Sequence, residues 1–316
     1  MEERMKVLFH YAAGPRLRAE VEARCDRDTR LVYCPEGPEE PFYSEVADSE
    51  VIWHVLWPIT AAVIARAPKL RLIQKIGVGV NTIDLAAAKQ RGIAVCNMPG
   101  TNSRAVAEMT LLLMLNVLRR QYGVERALRA GQWIVDEATR ESFGELAGRT
   151  VGLVGFGAVP QLLAPVLEAM GARVVYTATA AKAVRWEFLP LARLLAEADI
   201  VSLHVPLVEA TTRLIDRQRL AGMKRGAILV NTARGALVDE GALHEALASG
   251  HLGGAGLDVF HEEPTAAANP LLQLPNVAVS PHLAWLTLET WQRSIDVALH
   301  NVRAIRDGHS LAHRVA

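Results

Sequence analysis

Three side chains of unlike chemistry stand in the last third of the chain, each beside a residue that constrains the backbone. Arg234 precedes a glycine in NTARGALVDE, Glu263 precedes a proline in HEEP, and His282 follows a proline in SPHLAW. An imidazole exchanges protons near neutral pH. A neighbouring carboxylate favours its charged form and orients the ring. An arginine adds a permanently cationic fork suited to a carboxylate. Together such groups can hold an anionic substrate and pass a proton to or from its oxygen. Taken singly, each also fits a structural role: a strand-end histidine, an ion-paired arginine, a loop acid. Glu262 adjoins Glu263, so chemistry alone leaves open which acid faces His282.

A second constellation is VGLVGFGAVP, Val151 to Pro160. The first glycine, Gly155, permits a tight turn, and Gly157 lets the backbone approach a pyrophosphate at a helix N-terminus. The expected cofactor-binding stretch is therefore Gly155, Phe156, Gly157, Ala158 and Val159. A third glycine is expected where Pro160 stands. That glycine serves helix–strand packing and touches no phosphate, and a proline in the first helical turn costs little. A carboxylate about 20 residues past the glycines would hold the ribose 2′-hydroxyl of NAD. Thr177 occupies that place, with Thr179, Lys182 and Arg185 after it and no acid before Glu187. A 2′-phosphate then meets no repulsion, so the cofactor reading is NAD or NADP with a lean to NADP, and Thr177 and Lys182 join the cofactor residues.

The elements that must position these groups alternate along the chain. Apolar runs such as KVLFH, EVIWHV, LRLIQKIG, IAVCN, TVGLVG, ARVVYT, DIVSLHV, AILVNT, GAGLDVF and VAVSPH are separated by helical stretches. Near-continuous apolar strands between helices predict α/β architecture with parallel sheets covered on both faces. Met98-Pro99-Gly100 interrupts the pattern before a long apolar helix, Ser103 to Arg120, expected to be buried in a core, between domains or between subunits. The terminal helix from Leu288 is expected to return to the first domain.

Composition narrows the classes further. Lys plus Arg and Asp plus Glu number 34 each, and apolar residues make up 51% of 316. Bulk charge gives no attraction to nucleic acid or to an anionic membrane. The apolar run Ala105 to Leu118 falls short of the roughly 20 residues that span a bilayer. Cys25, Cys34 and Cys96 have no metal-ligand spacing, so no metal is expected, and a cytoplasmic setting is.

With GVGVNTIDL upstream and HVPLVEAT between, these motifs resemble the D-isomer-specific 2-hydroxyacid dehydrogenases, a family that includes glyoxylate/hydroxypyruvate reductases and 3-phosphoglycerate dehydrogenases. The resemblance runs through most of the chain, clearest from Leu70 onward. It implies two doubly wound parallel-sheet domains, a Rossmann cofactor domain (98–283) inserted into a flavodoxin-like substrate domain (1–97 plus 284–316). It implies a cleft closing about hinges near Asn97–Pro99 and His282–Trp285, and a homodimer formed through the Ser103–Arg120 helix. Carried over by residue, Arg234 contacts the substrate, His282 is the acid/base and Glu263 its partner. Asp258 accepts from the nicotinamide carboxamide, unless it is a strand-end cap, and the Ala233 backbone borders the nicotinamide. Val78 and Gly79 cradle the substrate carboxylate. Trp285 lines the pocket for the C3 substituent, with Trp53 and Trp57 as candidates that core packing would also explain. The expected activity is hydride transfer between NAD(P)H and a small 2-oxo or D-2-hydroxy acid. The alternative is a cofactor-sensing, corepressor-like binding protein. Val78, where a phosphite-oxidising relative would carry lysine, and the Glu–His pair, unneeded for formate, weigh against those two chemistries.

Overall fold

Strands that are apolar on both faces demand a cover on both faces, and the chain meets this demand twice. The computed structural model describes residues 4–37, 40–133 and 136–316. The chain divides into two units, Met1–Asn102 with Leu286–Ala316, and Ser103–Trp285. Both are α/β, each built on a parallel sheet of its own.

The first unit contains β1 (Met5–His10), β2 (Thr29–Cys34), β3 (Val51–His54), β4 (Leu72–Lys75) and β5 (Ala94–Cys96). Their order is β2-β1-β3-β4-β5, all parallel, the flavodoxin-like winding. Its core packs Leu8, Phe42, Ile52, Ile64 and Ile73. Trp53 belongs to the interior as well: it is buried and meets Phe9 edge-on at 5.4 Å. The helix Leu288–Asp307 is tied in by Asn301, which donates to Gln74 Oε1 at 2.6 Å and brackets Ala312. The tail then runs beside β5, with Val95 N–H bonded to Ala316 O at 3.0 Å.

The second unit contains β6 (Thr150–Val154), β7 (Arg173–Thr177), β8 (Glu187–Phe188), β9 (Ile200–Leu203), β10 (Ile228–Asn231), β11 (Gly254–Leu257) and β12 (Val277–Val279). Their order, β12-β11-β10-β9-β6-β7-β8, is the Rossmann winding extended by a seventh strand. The helix Ser103–Arg119 lies directly on β11 because two glycines admit it. A Cβ on Gly254 would sit 2.5 Å from Val117, and one on Gly256 2.9 Å from Leu113. One face of this helix is therefore ordinary core, while Leu112 on the other is half exposed. The next helix, Gln121–Arg129, buries none of its residues. Among the described residues no helix is long and apolar enough to cross a membrane.

Two strands depart from the sequence pattern. In TRLVYC of β2 only the end residues are fully buried, so it shows neither a continuous apolar run nor a clean alternation. The edge strand β8 is only two residues long.

His10 ends β1 fully buried and stacked on Phe42 at 4.0 Å. Neither ring nitrogen makes a well-formed hydrogen bond among the described residues. Burial lowers its pKa to about 4, with the carbonyls of Pro35 and Gly37 opposing only weakly. The unfolded chain therefore binds a proton near pH 6.5 that the folded one refuses until about pH 4. Stability supplied by the neutral ring is complete above pH 6.5 and falls by about 3 kcal/mol as pH drops through that window. Urea midpoints across pH 4 to 6.5 should fall with acid, and more gently in His10→Phe, which keeps the stack. Equal slopes would exclude His10 as the source.

Candidate active site

The loop leaving β10 is shaped by its own side chains. Asn231 accepts from Ala233 N–H at 3.0 Å and donates to Arg234 O at 2.9 Å, turning the chain sharply. Gly235 then passes against the loop leaving β11. A Cβ there would fall 1.9 Å from the Phe260 carbonyl carbon, so only glycine allows the approach. Arg234 is thereby brought into the field of Glu263. Burial lowers the guanidinium's pKa and the Glu263 charge opposes that shift. Its Nη1 donates to Ala233 O at 2.6 Å.

Asp258 organises the loop after β12. Its buried carboxylate accepts Leu283 N–H through one oxygen and Ala284 N–H through the other, both at 2.9 Å. Its carbonyl accepts His282 N–H at 2.7 Å. Asp258 thereby ties the end of β11 to the loop after β12. His282 itself has φ of 57°, left-handed for a non-glycine residue, at a cost on the order of 1 kcal/mol. The Asp258 bonds hold it there, together with Trp285, whose indole N–H donates to His282 O at 3.1 Å. Trp285, the residue expected to line the pocket for the C3 substituent, is half-buried, and its indole bond braces this loop.

These constraints set His282 Nδ1 at 2.6 Å from Glu263 Oε2, while Glu263 Oε1 accepts Phe260 N–H at 2.9 Å. The acid that reaches the imidazole is thus Glu263 and not Glu262. Burial raises the Glu263 pKa, but the bond and charge of His282, the Phe260 N–H and Arg234 outweigh it and leave the carboxyl below its ordinary range. Asp258 goes the other way: burial raises it, and the N–H groups of Ala284 and Leu283, Ser280 and the His282 charge only moderate the rise. With Nδ1 engaged, Nε2 is the nitrogen without a partner among the described residues.

The glycine turn fits a nucleotide. Gly155 has φ of 93°, and a Cβ on it would lie 2.5 Å from His204 O. A Cβ on Gly157 would meet nothing within 4 Å, so open space lies in front of it. Gly157 caps the helix Ala158–Ala169, and the N–H groups of Phe156, Gly157, Ala158 and Val159 donate to no other described residue. Donors in open space at a helix N-terminus suit a pyrophosphate. The Phe156 ring is buried against Tyr176 at 4.3 Å, so its contribution here is backbone. Pro160 is buried in the first helical turn. Thr177 closes β7, and Lys182 N–H bonds the Tyr176 hydroxyl at 2.7 Å, leaving the Lys182 side chain exposed. Arg185 is committed elsewhere, paired with Glu168 and lying over Trp186.

In the first unit, the Gly77–Gly79 turn is fastened by its carbonyls: Gly77 O accepts Met98 N–H at 2.8 Å and Val78 O accepts Asn97 Nδ2 at 2.9 Å. The Val78 and Gly79 N–H groups donate to no other described residue. Sequence reasoning passed over Asn231, Gly235 and the bracing bond of Trp285. The signal for the first two was present in the Asn and Gly of NTARG, both turn-forming types; the indole bond left no trace in sequence.

Residues 111–284 match the model of the D-isomer specific 2-hydroxyacid dehydrogenase NAD binding domain. The chain is 40% identical over 257 residues to a glyoxylate reductase of Korarchaeum cryptofilum, covering 79% of this chain and 77% of that one. It is 39% identical to a hydroxypyruvate reductase of Thermotoga maritima, covering 76% and 79%. The crystal structure of the TT0316 protein from Thermus thermophilus aligns with a TM-score of 0.90 at 39% identity, covering 99% of this chain and all of that one.

Gly235→Ala should force the two loops apart, lowering stability by about 2 kcal/mol or more and turnover at least about tenfold. Urea unfolding and steady-state rates check this; wild-type values for both would show the close approach to be dispensable.

Proposed function

The chain belongs to the D-isomer specific 2-hydroxyacid dehydrogenases, and we propose that it reduces a small 2-oxo acid of the glyoxylate or hydroxypyruvate type with His282 as acid/base. The observation that carries this reading is the 2.6 Å contact of His282 Nδ1 with Glu263 beside Arg234. Glu263 fixes the ring so that Nε2 faces outward, and its ionised form stabilises the imidazolium from which a proton leaves. When bound, the nicotinamide supplies the hydride that reaches the carbonyl carbon. In reduction, His282 Nε2 gives its proton to the carbonyl oxygen; in oxidation it takes the hydroxyl proton. Arg234, whose burial strengthens its electrostatic reach, polarises the carbonyl and pairs with the carboxylate. On the first unit, the open Val78 and Gly79 N–H groups are donors suited to a carboxylate.

For the cofactor, the open N–H groups from Phe156 to Val159 take the pyrophosphate. With Thr177 at the end of β7 and the exposed Lys182 beyond it, NADPH is the preferred donor. Dimerisation uses the outer face of the Ser103–Arg119 helix and the segment after it. Leu112, Tyr122 and Leu128 are about half exposed there, and Trp133 is 82% exposed, more apolar surface than a solvated face needs.

Initial rates with NADH and NADPH against glyoxylate and hydroxypyruvate test the activity; His282→Ala should lose at least about a hundredfold in kcat while NADPH affinity stays put. Survival of turnover in that variant removes His282 from the chemistry, and a preference for NADH removes the role given to Thr177 and Lys182. Light scattering should return twice the chain mass, and the monomer mass for Leu128→Glu/Trp133→Glu; a monomeric wild type refutes the dimer.

A further inference from the structure

Two successive peptide groups of the Gly77–Gly79 turn are fastened by two successive residues at the end of β5. Gly77 O accepts Met98 N–H at 2.8 Å, and Val78 O accepts Asn97 Nδ2 at 2.9 Å. Both peptides of the turn are trans, so each C=O points opposite to the N–H that follows it. Fastening Gly77 O turns Val78 N–H away from Met98. Fastening Val78 O turns Gly79 N–H away from Asn97. The two amides, which donate to no other described residue, are thus presented together on the side away from the clamp. Val78 is 44% exposed, so this side is within reach of a solute. Consecutive N–H groups presented in this way suit an anion.

The two fasteners differ in kind. Met98 acts through its backbone, which any residue but proline would supply. Asn97 acts through its side chain, so residue type matters there. Only its Nδ2 can donate, and Oδ1 turned toward Val78 O would repel it. The Cys96–Asn97 peptide that carries this side chain is itself held on both edges. Asn97 N–H donates to His313 O at 3.1 Å, and Cys96 O accepts Gln74 Nε2 at 3.3 Å. Gln74 Oε1 accepts Asn301 Nδ2 at 2.6 Å, and both of these side chains are buried. A fixed polar chain, all within the first unit, thus runs from the terminal helix to the Val78 carbonyl. The peptide at its end has most need of it, since Gly79 puts no Cβ in the way of a rotation.

We propose that Asn97 is a positioning residue for the substrate carboxylate: by holding the Val78 carbonyl it keeps Gly79 N–H aimed, with Val78 N–H, at the anion. The inference rests on the reading that these amides take the carboxylate of a 2-oxo acid. Without the Asn97 donor the Val78–Gly79 peptide can turn, and the carboxylate loses a donor. The reaction leaves the carboxylate unchanged, so the loss falls on ground state and transition state alike.

The test compares wild type, Asn97→Ala and Asn97→Leu with glyoxylate varied and the nicotinamide cofactor that wild type uses held at saturation, alongside cofactor affinity and melting temperature. Alanine removes the donor, and leucine removes it while keeping the branched shape. Both should raise KM for glyoxylate about tenfold while kcat moves less than about threefold and cofactor affinity holds. Should one variant fail to fold, the other decides by the same measure. An unchanged KM in a folded variant overturns the proposal. So does a joint loss of kcat, cofactor affinity and melting temperature, or failure of both variants to fold, because the asparagine would then serve only the scaffold. A wild type inactive with every 2-oxo acid tried would instead sink the functional reading, and this inference with it.

Discussion

The proposed acid/base site depends on how closely two peptide backbones approach. The loops leaving β10 and β11 touch at Gly235 and Phe260, where even a methyl group would overlap a carbonyl. Neither Arg234 nor Glu263 reaches its place by its own reach alone; each is carried by a loop whose path the contact fixes. The loop after β12 is then hung from the same point, because Asp258, two residues before Phe260, accepts the N–H groups of His282, Leu283 and Ala284 through its carbonyl and carboxylate. Three adjacent parallel strands thus deliver three functional side chains to one locus. Proximity of this kind is worth far more to a reaction than any single contact.

Two carboxylates in this small region are pushed in opposite directions, and their surroundings explain why. Glu263 sits partly open to solvent with a titratable partner on one oxygen, and the imidazole and guanidinium outweigh its burial. Asp258 is wholly enclosed, and the dipoles of two amide groups do not repay the loss of water. Divergent environments of this sort separate groups that handle protons from groups that hold shape. Glu263 can follow the charge of His282, whereas Asp258 is tied to the backbone by both oxygens and by its carbonyl.

Much of this was legible in sequence, for reasons that can be traced. Apolar strands such as TVGLVG and DIVSLHV are buried on both faces, so their composition alone identifies them. The half-buried TRLVYC of β2 was not legible, since an edge strand with partly exposed middle residues reads like a loop. Arg234, Glu263 and His282 could be chosen only together, because the motifs around them jointly resemble one family while each alone also fits a structural role. Which carboxylate meets the imidazole could not be chosen from residue types, because Glu262 and Glu263 are chemically the same. Only the path of the chain, with Phe260 N–H anchoring Glu263, separates them.

Anion recognition and proton transfer are divided between backbone and side chain, and the division explains the odd proline in the glycine turn. The groups open to a pyrophosphate are the N–H groups of Phe156 to Val159, in front of the space that Gly157 leaves free. None of these is supplied by position 160. A residue there has only to pack its helix onto the sheet, and buried Pro160 does so while lacking an N–H that the first turn could not have used within the helix. The same logic governs the Gly77–Gly79 turn, whose carbonyls are fastened to Asn97 and Met98 so that its amides stay available. Backbone donors cannot be deleted by a side-chain substitution, only displaced. In the proposed reaction the backbone therefore holds the anion, and the side chains of the imidazole and its acid are left to move the proton.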